Sequence, residues 1–425
     1  MPQWRLIGCG VAAKLNVRLA LRLVVLWIQA HIGGLSMCAL YTGHNPIARE
    51  ARSLLFALII LVSGTNGFAQ TERWVSGFWV GWQSDEYPPE AIDFGSLTQV
   101  VVFALKPNMD GSIDKTISID ETSGPRLAKE VAARAHADRK KALLCVGGEY
   151  TAREFVAVSG PAQRHSFVKS LVQIVDDWGF DGVDIDWEPI EPQNYDLVLG
   201  LIAELRAQRA GMTITADIGF LNANDERNGS DIRFLVQLSR MVDHLNIMTY
   251  GMADGPSAGW TGWVSWHSSA LYGEGEDHPS SVSSSVDRLL EMGIPSSKIG
   301  IGIGFYGIGW VPPVVAPLQQ PNGSHVVLGD NDLSFRNIMQ YYYDKSAYRF
   351  DTAAKVPYLS FSRPKGKKGI TYISYEDPRS ISEKGDYIRR KGLGGVIIWH
   401  INEGYLPGAK DPNELLHAVY SALRK

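Results

Sequence analysis

The chain has 425 residues and a formal net charge of −4, with 41 Lys and Arg against 45 Asp and Glu. That near-balance provides no field to draw nucleic acid or an anionic membrane, and the length admits one large enzyme domain with additions or two ordinary ones. The 12 Trp, 17 Tyr and 14 Phe belong first to a core, but Trp82, Tyr150, Trp260, Trp263, Trp266 and Trp310 fall at strand ends or in Gly-rich loops, positions suited to stacking on sugar faces.

Residues 1–69 differ in character from the rest. Arg49 and Arg52 precede an apolar run over 53–62, and Gly67 and Ala69 follow with small side chains. That order predicts a secretory signal cleaved after Ala69, with a core too short to span a bilayer. The stretch 19–28 carries Arg22, which argues against a membrane span there, and Met37 offers an alternative start. The mature chain is expected to be secreted or periplasmic, with no membrane attachment after cleavage, and monomeric. Of Cys9, Cys38 and Cys145 it would keep Cys145 alone, an inert thiol within the apolar run 142–146.

From Trp74 onward, short apolar runs alternate with helical patterns. Strands are predicted over 75–82, 99–104, 142–146, 182–187, 212–218, 244–249, 299–305 and 395–399. Helices are predicted over 126–136, 163–178, 195–209, 231–240, 283–292, 380–391 and 413–423. Eight strands separated by helices give the count of a (β/α)8 barrel, an α/β fold with its active site at the strands' C-terminal ends. An open doubly wound sheet is disfavoured because no Gly-rich phosphate loop follows the first strand. The connection after the seventh strand is too long for a bare loop. It predicts a small α+β insertion over about 308–376, between strand 7 and helix 7, with a helix over 334–345 and strands over 358–362 and 370–375. One catalytic domain over 70–425 is therefore expected.

The fourth strand carries the chemistry. It reads Phe180-Asp181-Gly182-Val183-Asp184-Ile185-Asp186-Trp187-Glu188. Residues two apart in an extended chain share a face. Asp184, Asp186 and Glu188 thus project together, Val183, Ile185 and Trp187 pack on the other side, and Asp181 falls at the strand entrance. Three neighbouring carboxyls cannot all ionise cheaply, so at least one pKa rises. The expected outcome is a protonated Glu188 at the open end of the strand, equipped as a general acid. A metal site would want His or Cys nearby, or a phosphate partner, and a calcium loop would be polar between its ligands. No metal or organic cofactor is expected; a structural network of acids remains the alternative.

This Asp-x-x-Asp-x-Asp-x-Glu run, at Asp181, Asp184, Asp186 and Glu188, resembles the signature of the chitinases of glycoside hydrolase family 18. The likeness extends from about Trp74 to Trp399, and the insertion resembles that of the branch with an α+β lobe. It implies a retaining mechanism without an enzyme nucleophile. Glu188 would be the general acid and base, Asp186 would orient the substrate's acetamide, Asp184 would tune Asp186, and Tyr250 would hold the acetamide oxygen. Trp399 resembles the tryptophan flooring the cleaved sugar's subsite. Phe103 and Trp82 resemble aromatics closing the second and first strands, and Met248 and Trp260 join them as candidate substrate contacts. Gly147 and Gly148 resemble the third-strand diglycine, with Cys145 where a serine is usual. Gly251 stands where an aspartate usually follows the tyrosine; restoring it as Gly251→Asp should raise activity on chitin oligomers unless the backbone needs a positive φ. The implied partner is chitin or N-acetylglucosamine oligomers. An endo-β-N-acetylglucosaminidase acting on glycans or peptidoglycan, or a non-hydrolytic chitin-binding lectin, remains the alternative.

Overall fold

In a computed structural model the described residues are 72–253, 262, 264–321, 326–327 and 330–424. The expected signal and its cleavage point, Trp260 and Trp263 lie outside them. Strands β1 (Trp74–Val80), β2 (Gln99–Pro107), β3 (Lys141–Gly148), β4 (Gly182–Trp187), β5 (Thr213–Gly219), β6 (His244–Met248), β7 (Ile299–Gly304) and β8 (Gly395–Trp399) pair in parallel, each with the next. Trp74 of β1 also lies opposite Gly395 of β8, which closes the sheet into a barrel. The two-residue strand Ile113–Asp114 hangs antiparallel on the end of β2.

Helices α1 (Ser123–Ala137), α2 (Ala152–Ser159), α3 (Arg164–Trp178), α4 (Tyr195–Gln208), α5 (Gly229–Met241), α6 (Val282–Glu291), α7 (Pro378–Lys391) and α8 (Glu414–Arg424) cover the barrel. The β1–β2 crossover contains only 3-10 turns, among them Pro89–Ala91; Pro88 and Pro89 lack the amide hydrogens a longer helix needs. Helix α2 is an element that periodicity did not reveal, because two turns expose too little pattern. Its Phe155 stacks on Trp187 with ring centroids 4.6 Å apart and 7° between planes. This packing holds the outward face of β4 against the helical layer, so the acids on the inward face have a rigid backing.

Between β7 and α7 the insertion folds as a five-stranded antiparallel sheet made of Ile308–Trp310, Val326–Val327, Tyr348–Asp351, Val356–Lys365 and Ile370–Ser374. The helix expected over 334–345 is shorter, one α-helical turn (Phe335–Asn337) passing into a π-helical turn (Ile338–Tyr342). Trp310, Val356 and Tyr372 form the lobe's core together with Trp266 and Tyr306, and Tyr250 and Trp399 pack against it. The lobe is thereby continuous with the mouth of the barrel. Helix α7 is fastened by buried Lys384, whose ammonium donates to Ser269 O at 2.9 Å and Ser269 Oγ at 2.8 Å and pairs with Glu376. A lysine this deep survives because all its donors are engaged.

Candidate active site

The acids of β4 line the barrel interior as their spacing requires. Asp184 and Asp186 are buried, while Val183, Ile185 and Trp187 pack outward. Asp184 accepts a hydrogen bond from Thr215 Oγ1 on β5, and Cys145 and Asp217 also approach it. Burial nonetheless pushes its carboxyl up to about 6. Asp186 rises well above the carboxylate range, first through burial and then through the charges of Glu188, Asp217 and Asp184. Glu188 rises too, chiefly by burial, with the nearby Glu149 adding to it and a hydrogen bond to Asp186 opposing it. The two carboxyls are thus electrostatically linked, Glu188 raising Asp186 and Asp186 holding Glu188 back. Glu188 is shifted towards its protonated form, the direction expected, and the deeper Asp186 is shifted more.

A fourth buried acid, Asp217 on β5, was not anticipated. It accepts Asn246 Nδ2–H from β6 at 2.9 Å, and burial followed by the charge of Asp184 raises it well above its usual range. A readable sign existed: in Thr213-Ile214-Thr215-Ala216-Asp217-Ile218 every second residue is polar, the same alternation that exposed Asp184 and Asp186. The lower end of the network is closed by burial as well. The Cys145 thiol is pushed far up by burial and by the neighbouring aspartates, which keeps it protonated and unreactive. Asp181 stays at the strand entrance, where it accepts Ala142 N–H at 2.8 Å and pairs with His136 Nε2 at 2.9 Å.

Tyr250 follows β6 and enters the barrel because β7 makes room for it. In Ile-Gly-Ile-Gly-Ile-Gly the isoleucines face outward and the glycines inward; a Cβ at Gly302 would stand 2.7 Å from Tyr250 Cε1. Thr249 locks the two strands together, its Oγ1 donating to Gly302 O at 2.9 Å and accepting Gly302 N–H at 3.0 Å. The Tyr250 phenol is held far above its usual range by burial and by the adjacent Asp217 charge, so it remains a donor. Gly147, at the end of β3, has φ +115°, and a Cβ there would lie 2.1 Å from Asp186 O; Gly148 has φ +111°, against Phe103.

Gly251 has φ +65°, and a Cβ on it would stand 3.1 Å from Tyr306 Oη. This backbone favours glycine, which overturns the expected gain from restoring a carboxylate. Gly251→Asp should instead lower stability by about 1 kcal/mol without raising kcat/KM. Thermal unfolding and oligomer kinetics on the same preparation check both parts.

Above the acids, an open cleft of about 640 Å3 is lined by Trp82, Phe103, Glu149, Asp186, Glu188, Met248, Tyr250, Tyr306, Asp330 and Trp399, among others. The three expected aromatics meet there. The Phe103 and Trp399 rings lie edge to face at 4.8 Å, Trp82 and Phe103 at 5.7 Å, and Trp82 is 38% exposed. Trp399 donates its indole N–H to Asp330 Oδ2 at 3.3 Å. Asp330 was missed because its loop follows no period. The same loop is tied to the barrel by Asn331, whose Oδ1 accepts from Trp82 Nε1 at 2.9 Å and Gln83 Nε2 at 2.8 Å.

This arrangement places two neighbouring carboxyls of raised pKa at the floor of an aromatic cleft. Chitinase B from Serratia marcescens is 27% identical over 340 residues, 64% of this chain and 66% of that relative, so the chain spans just under two thirds of its length. Among solved structures, a Group IV chitinase from Ostrinia furnacalis superposes with a TM-score of 0.66 at 21% identity, covering 83% of this chain and all of that one. A chitinase-like agglutinin from Robinia pseudoacacia gives 0.65 at 19% identity, over 82% of this chain and 99% of its own. These two show the shared fold. The model of the family Glycosyl hydrolases family 18 matches residues 75–404. With its barrel and most of its length inside that match, the chain belongs to glycosyl hydrolase family 18.

Proposed function

We propose that the protein is a chitinase that cleaves β-1,4 linkages between N-acetylglucosamine units by a retaining, substrate-assisted route, the known exception in this family to the two-carboxylate scheme. The observation that carries this reading is that Asp186, Glu188 and Tyr250 meet at the base of one cleft, with both carboxyls raised by burial. An acetamide N–H donated to Asp186 favours its charged form and leaves the proton on Glu188. Glu188 then protonates the glycosidic oxygen as the acetamide carbonyl oxygen attacks the anomeric carbon, giving an oxazolinium ion. Tyr250 donates to that carbonyl oxygen and fixes its approach. Glu188, now a carboxylate, takes a proton from the water that opens the ring, which restores the starting acid. The Trp82, Phe103 and Trp399 faces hold the sugar rings by stacking.

The test is time-resolved product analysis on chitin oligomers, alongside N-glycan and peptidoglycan substrates. New reducing ends should appear first as β-anomers, and an oxazoline-mimicking thiazoline should inhibit. Release of α-anomers would remove the mechanism; preferred cleavage of glycans would move the reading to an endo-β-N-acetylglucosaminidase, and binding without cleavage to a lectin. Export belongs to the same reading, on the strength of Arg49, Arg52 and the apolar run that follows. N-terminal sequencing of secreted protein should begin at Gln70, and a mature chain retaining residues 1–60 would contradict it.

A further inference from the structure

Behind the aromatic floor, three side chains with no part in the chemistry above converge. His400, directly after Trp399, is fully buried, and neither of its ring nitrogens has a hydrogen-bond partner. Its Nε2 lies 3.7 Å from Asp330 Oδ1 and 3.8 Å from Glu403 Oε2, both beyond hydrogen-bond range. Neither of those two oxygens accepts from an N–H or hydroxyl group, and one ligand atom from each of the three residues lies within 4.8 Å of the others. The other oxygen of each carboxylate is already engaged. Glu403 Oε1 accepts Asn331 N–H at 2.6 Å, and Asp330 Oδ2 accepts the Trp399 indole N–H. Each carboxylate is therefore oriented by an N–H donor on one side and presents its free oxygen on the other, the outer support that metal-binding carboxylates characteristically have.

A proton on Glu403 can bridge its carboxyl to Asp330 in the metal-free protein; once that proton is displaced, and with the His400 hydrogen on Nδ1, three acceptors face one point. A water could satisfy at most two of them, whereas a cation satisfies all three. We propose that Asp330, His400 and Glu403 bind a divalent transition-metal ion of the zinc class, with its open coordination position towards the cleft. Donors at about 2.0–2.2 Å from such an ion stand roughly 3.4 Å apart at tetrahedral angles. The 3.7 and 3.8 Å spacings from His400 need only a small contraction to reach this, and the mixed imidazole and carboxylate set suits that class of metal. Two carboxylates balance the charge of the ion. The nearby Arg336 opposes it, but its guanidinium is engaged by Glu86. The open position is placed on the Asp330 side because that side chain is 39% exposed, although its Oδ1 is covered, while those of His400 and Glu403 are fully covered.

Burial raises the Glu403 carboxyl well above its usual range and lowers His400. A bound ion would also hold Asp330 and, through it, the Trp399 indole. That consequence rests on the proposed function and predicts tighter oligomer binding at nearly unchanged kcat; uptake itself does not depend on it.

The experiment is a zinc titration of tag-free, chelator-treated full-length protein, followed by calorimetry and elemental analysis. Cobalt(II) serves as a spectroscopic probe through its visible d–d absorption. Uptake of one equivalent per chain is expected near neutral pH. It should be lost in H400Q and in E403Q, each confirmed as folded by thermal unfolding, and reduced in D330N, whose partly exposed side chain makes misfolding a smaller risk. His417, which lies between Asp93 and Asp411, is the control: H417Q should leave uptake unaltered. No uptake by the wild-type protein, uptake that survives both H400Q and E403Q, or uptake abolished by H417Q would each overturn the assignment. Stoichiometric uptake by a protein that cleaves no chitin would leave the metal site standing and remove only its consequence for substrate.

Discussion

Glu188→Gln is expected to lower kcat on chitin oligomers by about 10²–10⁴-fold while oligomer binding stays close to wild type. The amide keeps the shape of the side chain and can still donate to Asp186, so the cleft and its aromatic walls are undisturbed. What disappears is a proton that can be delivered to the leaving oxygen. Burial, the Glu149 charge and Asp186 together set the acidity of Glu188, and an amide has no counterpart to it. Single-turnover rates and equilibrium binding, measured on the same variant, separate the two effects. Near-normal turnover in a folded Glu188→Gln protein would eliminate Glu188 as the acid.

Asp217→Asn is expected to stabilise the protein at neutral pH and to shift the alkaline limb of its pH–rate profile downward. Burial holds the Asp217 pKa well above its unfolded value near 3.9. Between those two values the folded state carries a proton that the unfolded state has lost, so stability falls as pH rises, by about 1.4 kcal/mol per pH unit while the folded carboxyl stays protonated. Asparagine lacks this dependence and can still accept the Asn246 N–H. The variant and the wild type should therefore unfold alike near pH 4 and diverge towards pH 7. At higher pH, where Asp217 does ionise, its charge raises Asp186, so on the alkaline limb the catalytic pair of the variant should release its proton at lower pH. Urea midpoints at several pH values test the first part, and kcat/KM profiles the second. Equal stability at pH 7, with an unshifted profile, would show that Asp217 is not coupled to the pair.

The barrel was legible because each strand is a short apolar run set off by turn residues and followed by a longer helical pattern. Asp184, Asp186 and Glu188 were legible because a carboxyl inside such a run has no cheap structural explanation. Asp217 and Asn246 carry the same sign more faintly, one polar side chain per strand, and reach significance only when β5 and β6 lie beside β4. Asp330 and Glu403 could not be read at all. They sit in a loop and a 3-10 turn some 70 residues apart, where no periodicity links one to the other. Gly251 shows a further limit, since its left-handed backbone is a property of the turn that follows β6 and not of the residue type.

The pairing of β1 with β8 also governs how the chain can fold. Its two partners are about 320 residues apart, Trp74 facing Gly395, so the ring cannot close until nearly the whole chain is available. Contacts of that sequence separation form slowly, and before closure β1 and β7 are sheet edges with unpaired amides, open to strands of other molecules. Losing β8, by truncation or by stalled synthesis, should therefore yield aggregation rather than a smaller working enzyme.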